Sequence, residues 1–152
     1  MVSHIVYSPD GKLLVSASKD KSCKLWDSMT FECIATILCE SEITDMTFDP
    51  TGQFMVVASM DGVANMYNTE TQVNMAKLDG HEKEITKVMF NPQGNKLLTS
   101  SADMTVRLWN VENTECVQVL QAHTQNITCC QYNYSGSTII TGSQDGTCIV
   151  WQ

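Results

Sequence analysis

The chain has 152 residues, of which 43% are apolar, enough for one domain with a real core and too many for a disordered tail. Its net charge is −8, from 17 acidic and 9 basic residues, and Arg107 is the single arginine. Such a surface repels phosphate, so neither nucleic acid nor an anionic membrane is an expected partner.

No apolar run approaches the roughly 18 residues of a membrane span. The opening MVSHIVYSPDG meets a turn too early for a signal peptide. The 7 cysteines are an odd number and form no C-x-x-C pair. That usage fits a reducing compartment, and the cytosol is expected. Two glycosylation-type triplets, at Asn126 and Asn133, would stay unmodified there.

One period organises the whole chain. Trp26, Tyr67, Trp109 and Trp151 are spaced by 41, 42 and 42 residues. Asp20, Asp61, Asp103 and Asp145 repeat the same steps, and so do Gly11, Gly52, Gly94 and Gly136. Pro9, Pro50, Pro92 and Tyr134 each follow a β-branched residue (Val2, Ile43, Ile85, Ile127) by 7 positions.

Taken in chain order, the units are 1–38, 39–79, 80–121 and 122–152. The first begins at the Val2 strand and runs through CIATIL. The second has Cys39-Glu40 where the third has Gly80-His81, Val57 in place of a hydroxyl, and Tyr67 in place of tryptophan. It should depend on apolar packing and be the loosest of the set. The third reads most clearly. ITKVMF alternates and is rich in strand formers. NPQGN is a tight turn, with proline presetting one backbone angle and glycine accepting a positive one. NKLLTSS, TVRLWN and ECVQVL are three further strands. The fourth unit stops after Trp151 and lacks its outermost strand. Nothing shows sustained helical periodicity. Four short antiparallel strands per unit predict an all-β chain of propeller blades.

Gly80-His81, the turn at Asp103 and the closing LWN resemble the WD40 family, and the likeness covers the whole chain. The family unit starts with the outer strand of one blade and continues with three inner strands of the next. FNPQGN and TGSQDGTCIVW are most similar to the last repeats of the axonemal outer-arm dynein assembly factors. That resemblance implies half of an eight-bladed ring and an adaptor in ciliary dynein assembly or transport. Dynein-related cargo would be the partner, and the place cytoplasmic and ciliary.

His81, Thr99 and Asp103 admit two readings. As a hydrolase they would be base, nucleophile and orienting carboxylate. The WD40 resemblance instead implies a brace, closed by Trp109, that ties the inner strands together. His123, Thr141, Asp145 and Trp151 recur at the same offsets, 22 residues from histidine to aspartate in both units. A catalytic site repeated at the blade period is not expected, so the brace is preferred. Unit one keeps Ser16, Asp20 and Trp26 without a histidine, since His4 falls after the Val2 landmark.

Cys23 and Cys148 lie 3 residues before their tryptophans, and Cys33 and Cys116 lie 7 after. These are strand positions, where cysteine is expected as a small buried hydrophobe. Cys129 and Cys130 alternate across one strand, which is poor metal geometry. The scattered methionines read as core or turn fillers, and Glu82 and Glu84 as a solvated loop. No phosphate-loop, zincin or zinc-ribbon motif is present, so no cofactor and no metal site are expected.

The resemblance places partner contacts on the surface made by the entry loops and the turns between second and third strands. Glu42, Thr44, Glu84, Thr86, Asn126 and Thr128 are the candidates, with Lys19, Met60, Ala102 and Gln144 just before the turn aspartates. An acidic face suits a basic segment of a partner. Met29, Thr69 and Glu112 stand where ubiquitin-ligase substrate receptors carry arginine, and one arginine cannot form a phosphopeptide cluster. A purely architectural subunit is the alternative. Four blades trace half a circle and leave an apolar face at each end. A homodimer closing an eight-bladed ring is therefore expected, with a fragment of a longer protein as the rival. Val6 and Ile149 are end-blade positions where a charge would test the junction.

Overall fold

The computed structural model describes residues 1–152 as fifteen strands without a helix. Four antiparallel sheets follow one another along the chain. The first holds β1 (Val2–Tyr7), β2 (Leu13–Ser18), β3 (Ser22–Asp27) and β4 (Cys33–Leu38). The second holds β5 (Ile43–Phe48), β6 (Phe54–Ser59), β7 (Val63–Asn68) and β8 (Asn74–Asp79). The third holds β9 (Ile85–Phe90), β10 (Lys96–Ser101), β11 (Thr105–Asn110) and β12 (Cys116–Gln121). The fourth has three strands, β13 (Ile127–Tyr132), β14 (Ile139–Ser143) and β15 (Cys148–Trp151). Each sheet is a meander of consecutive strands, the architecture of propeller blades.

Local chemistry sets the turns. Ser8, Asp49, Asn91 and Asn133 stand at one repeated place. Each side chain accepts a backbone N–H from the far side of its turn, at 2.9, 2.8, 2.9 and 3.1 Å. Gly11, Gly52, Gly94 and Gly136 supply the positive φ those turns need. In the first three blades the strand lengths and the three internal turns are constant, so the change of period from 41 to 42 has one source. The loop entering blade 2 spans 39–42, one residue shorter than the loops at 80–84 and 122–126. The missing residue and the missing histidine fall in the same loop.

The core lies between blades. Val15, Ala17, Cys23 and Leu25 of blade 1 pack on Met46, Phe48, Met55, Val57 and Tyr67 of blade 2. Val56, Ala58, Ala64 and Met66 on the other face of blade 2 meet Val88, Phe90, Leu97 and Trp109 of blade 3. Leu98, Val106, Leu108 and Leu120 continue onto Ile127, Cys130, Tyr132 and Ile139 of blade 4. Burying each such Val, Leu or Phe contributes about 1.5–3 kcal/mol. Blade 2 is held this way, since five consecutive residues of β6, Met55 to Ser59, are buried on both faces.

Both ends of the arc present bare faces. Ile140, Gly142, Cys148 and Val150 in blade 4 are the counterparts of Val15, Ala17, Cys23 and Leu25. Ile140 and Val150 are 41% and 58% exposed, where Val15 and Leu25 are at 0% and 1%. Ile5 and Tyr7, counterparts of the buried Met46 and Phe48, form the open face of blade 1 at 62% and 58%. Val6 does not belong to that face, because it packs against the cluster between blades 1 and 2. Ile149 is the counterpart of Lys24, Asn65 and Arg107, and alternates with the open-face residues Cys148 and Val150.

The cysteine expectation holds in part. Cys23 and Cys130 are buried, and burial pushes both thiols up to about 12. Cys33, Cys129 and Cys148 are exposed, the last two because they lie on the open face of blade 4.

Candidate functional site

The His81 constellation is a closed relay of hydrogen bonds. Trp109 donates its indole N–H to Thr99 Oγ1 at 2.9 Å. The same hydroxyl meets His81 Nε2 at 2.8 Å, and His81 Nδ1 lies 2.8 Å from Asp103 Oδ2. With the proton on Nδ1, every donor finds an acceptor. Asp103 also accepts the Thr105 hydroxyl and the N–H groups of Glu82 and Thr105. Burial by itself would raise the Asp103 carboxyl, but the bonds from His81 and Thr105 outweigh it and hold the group well below the usual aspartate range. Thr99 is fully buried, and its hydroxyl is shared between His81 and Trp109. A substrate carbonyl has no approach to it, which removes the geometric basis for a nucleophile.

The copy in blade 4 has the same geometry. His123 meets Asp145 at 3.0 Å and Thr141 at 2.8 Å, and Trp151 donates to Thr141 at 3.0 Å. Bonds from the Thr147 hydroxyl and the Thr124 N–H hold Asp145 well below its ordinary value. Blade 1 keeps one link, from Trp26 Nε1 to Ser16 Oγ at 2.9 Å, while Asp20 only caps its own turn at Ser22. In blade 2, Tyr67 is set beside Cys39, and burial raises both the phenol and the thiol.

The predicted partner contacts divide. Lys19, Glu42, Thr44, Met60, Glu84 and Thr86 line one cleft of about 300 Å³, where β1, β5 and β9 begin. Ala102 is buried and is withdrawn as a contact residue. Asn126, Thr128 and Gln144 lie apart, on blade 4. Thr86 is committed to structure: its hydroxyl donates to the Ile127 carbonyl of the next blade at 2.7 Å. Ser3 and Thr128, in the same place, donate to Ala17 and Gly142. Thr44 alone leaves its hydroxyl without a partner, although the oxygen is shielded from solvent.

Sequence reasoning missed the group beneath this cleft. Asp45 is almost fully buried, 3.1 Å from Lys87 Nζ and 3.6 Å from His4 Nε2, and it accepts the Val88 N–H at 2.9 Å. His4, Asp45 and Lys87 are the same position in three successive blades. That positional coincidence was the available signal. His4 lines the cleft, and its Nδ1 is shielded from solvent with no partner of its own.

Repeated blades and braced inner strands define a propeller-type repeat array. The sequence profile described as "WD domain, G-beta repeat" matches residues 1–27, 31–68, 72–110 and 114–152, and the chain belongs to the WD40 family. The second to fourth matched segments each hold an outer strand and the three inner strands of the next blade. The chain is 34% identical over 74 residues to the DENN domain and WD repeat-containing protein SCD1 of Arabidopsis thaliana, covering 48% of this chain and 6% of that protein. It is 33% identical over 84 residues to the WD repeat-containing protein AAC3 of Dictyostelium discoideum, covering 53% and 18%. It is 37% identical over 71 residues to the Nuclear distribution protein PAC1 of Arthroderma benhamiae, covering 43% and 15%. The matches thus span less than a fifth of these relatives.

Proposed function

We propose that this chain is a non-enzymatic scaffold that binds a basic segment of a partner protein in the cleft between Lys19, Glu42 and Glu84. One observation carries the reading. Six residues from three blades converge there, around a Thr44 hydroxyl that nothing in the chain satisfies. Two carboxylates on an acidic surface favour a cationic partner and speed its encounter. The test is association of a short lysine-rich peptide with the wild type and with a Glu42→Lys, Glu84→Lys variant. The variant should bind about tenfold more slowly at low salt, with a flatter salt dependence. Unchanged kinetics would rule this face out.

The narrower reading is an adaptor in ciliary dynein assembly or transport, placed in the cytoplasm and cilium, with dynein-related cargo. Its support is the resemblance of FNPQGN and TGSQDGTCIVW. Proximity labelling in ciliated cells should recover outer-arm dynein chains, and a catch without them overturns it. The apolar end faces support a second copy of the chain as their cover, closing an eight-bladed homodimeric ring. Further blades of a longer polypeptide are the competing cover.

A further inference from the structure

A second groove, of about 780 Å³, lies between blades 1 and 2 on the opposite face, where the β1–β2 and β3–β4 turns of each blade gather. Leu13 and the half-exposed Ile34 contribute from blade 1, and Gln53, Thr69 and Glu70 from blade 2. The next junction repeats it. Phe54 and Met75 replace Leu13 and Ile34, while Asn95, Val111 and Glu112 replace Gln53, Thr69 and Glu70, around about 380 Å³. The groove is therefore a built feature of a blade junction. It lies inside the arc, away from both end faces.

Two features distinguish the first groove from its copy. The first is charge: Asp10, Asp27 and Glu70 line it against Lys12 alone. Asp10 Oδ1 accepts the Ser8 hydroxyl and the Lys12 N–H, and its Oδ2 lies 3.7 Å from Lys12 Nζ. Asp27 Oδ1 accepts the N–H groups of Met29 and Thr30, which leaves Oδ2 open. These donors hold both aspartates below their ordinary range, so both are charged at neutral pH. The second feature is Thr69. It is 5% exposed, and its hydroxyl has no partner. Its counterpart Ser28 donates to the Gly11 carbonyl at 2.6 Å, and its counterpart Val111 has no hydroxyl to satisfy. A buried, unmatched hydroxyl destabilises the free chain until a ligand supplies its partner.

We propose that the groove between blades 1 and 2 docks an extended segment of a partner protein carrying a basic side chain next to an aliphatic one. The basic group meets the open oxygens of Asp27 and Glu70. The aliphatic group covers Ile34 and Leu13, and the segment's backbone satisfies Thr69. Charge alone would draw cations to many places on this acidic surface, so the apolar wall and the stranded hydroxyl give the groove its selectivity.

The test is an NMR titration of the isotope-labelled full chain with three short peptides, alternating Lys/Leu, Lys/Gly and Glu/Leu, and with calcium chloride. The Lys/Leu peptide should shift the amide signals of Ile34, Thr69 and Glu70 together. Its Kd should rise about tenfold in Glu70→Lys and in Thr69→Val, each with an otherwise unchanged spectrum. Glu42→Lys, in the upper cleft, should leave this binding intact, so failure here is distinguishable from failure of that site. Equal binding of Lys/Gly would reduce the effect to charge and overturn the proposal. So would the same shifts from calcium alone, or shifts scattered over the acidic surface beyond this groove and the upper cleft.

Discussion

Lys87 reaches back across a blade junction, and its ammonium meets the buried carboxylate of Asp45 at 3.1 Å. The two residues are 42 apart and occupy the same position in successive blades. Asp45 also accepts the Val88 N–H, so it joins the innermost strands of two sheets that share no ladder. Asp45→Ala would strand that N–H and should cost about 2–3 kcal/mol. Lys87→Met leaves a shielded carboxylate with less compensation. The partial exposure of the lysine tempers that loss to about 1–2 kcal/mol. In a double-mutant cycle with Asp45→Asn, the paired variant should lose less than the sum of the singles. Additive urea melts would show that the two residues are not coupled.

The braces give a ranking. Trp109→Ala should cost about 3–5 kcal/mol. Thr99→Val strands two donors or acceptors at once and should cost about 2–4 kcal/mol. Thr141→Val should cost less, because Trp151 is only half-buried at the open end. Tyr67→Ala should also fall below Trp109→Ala, since no histidine relay surrounds it. Denaturant melts of the four variants check the order, and equal small losses would remove the brace assignment.

The pH dependence has a definite sign. Asp103 and Asp145 are held below their ordinary range in the folded chain. A carboxylate depressed by folding stabilises above its unfolded pKa of about 4 and loses that contribution as pH falls toward the folded value. Stability should therefore be flat from neutral pH to about 5 and decline below about 4. Asp103→Asn should lower the plateau and shallow the decline. An unchanged slope in acid melts would contradict the linkage.

Thr44→Val tests the upper cleft from the stability side. It removes a hydroxyl without a partner, so the free chain should be unchanged or gain up to about 1 kcal/mol. Binding of a lysine-rich peptide should weaken at the same time. A stability loss would mean that the hydroxyl is satisfied in solution.

The end faces make the fifth comparison. If a second copy covers them, light scattering should give a discrete dimer, and Ile5→Asp or Val150→Asp should dissociate it. Val6→Asp should instead destabilise the fold, because Val6 packs inside the arc. A soluble monomer at all concentrations would remove the ring.

The blades, their turns and both complete braces were legible because glycine, proline and aspartate act locally at one period. The side each residue faces was less legible. Every pairing of a first and second strand carries a register shift, at Val2/His4, Ile43/Asp45, Ser100/Ser101 and Ile127/Cys129. Such a bulge breaks the simple alternation of side chains, so counting from a landmark picks the wrong face. Val6, an end-blade position in the sequence, packs inside the arc. A second shift, at Leu25/Trp26 and Leu108/Trp109, stands beside Cys33 and Cys116, of which Cys33 is exposed and Cys116 packs against the cluster between blades 2 and 3. Thr86 lines the cleft, but it also carries a contact between blades. Its hydroxyl is taken by the Ile127 carbonyl 41 residues away, a contact that no local pattern announces.

Every sheet is built from strands that follow one another in the chain, with none borrowed from elsewhere. During synthesis, a blade can therefore complete its ladders as soon as its own stretch has cleared the ribosome. Its oily flank has to wait for the next blade to emerge. At about 5–20 residues per second that wait lasts a few seconds. It recurs at each junction, so the nascent chain has several brief windows in which a chaperone is most useful, one per junction.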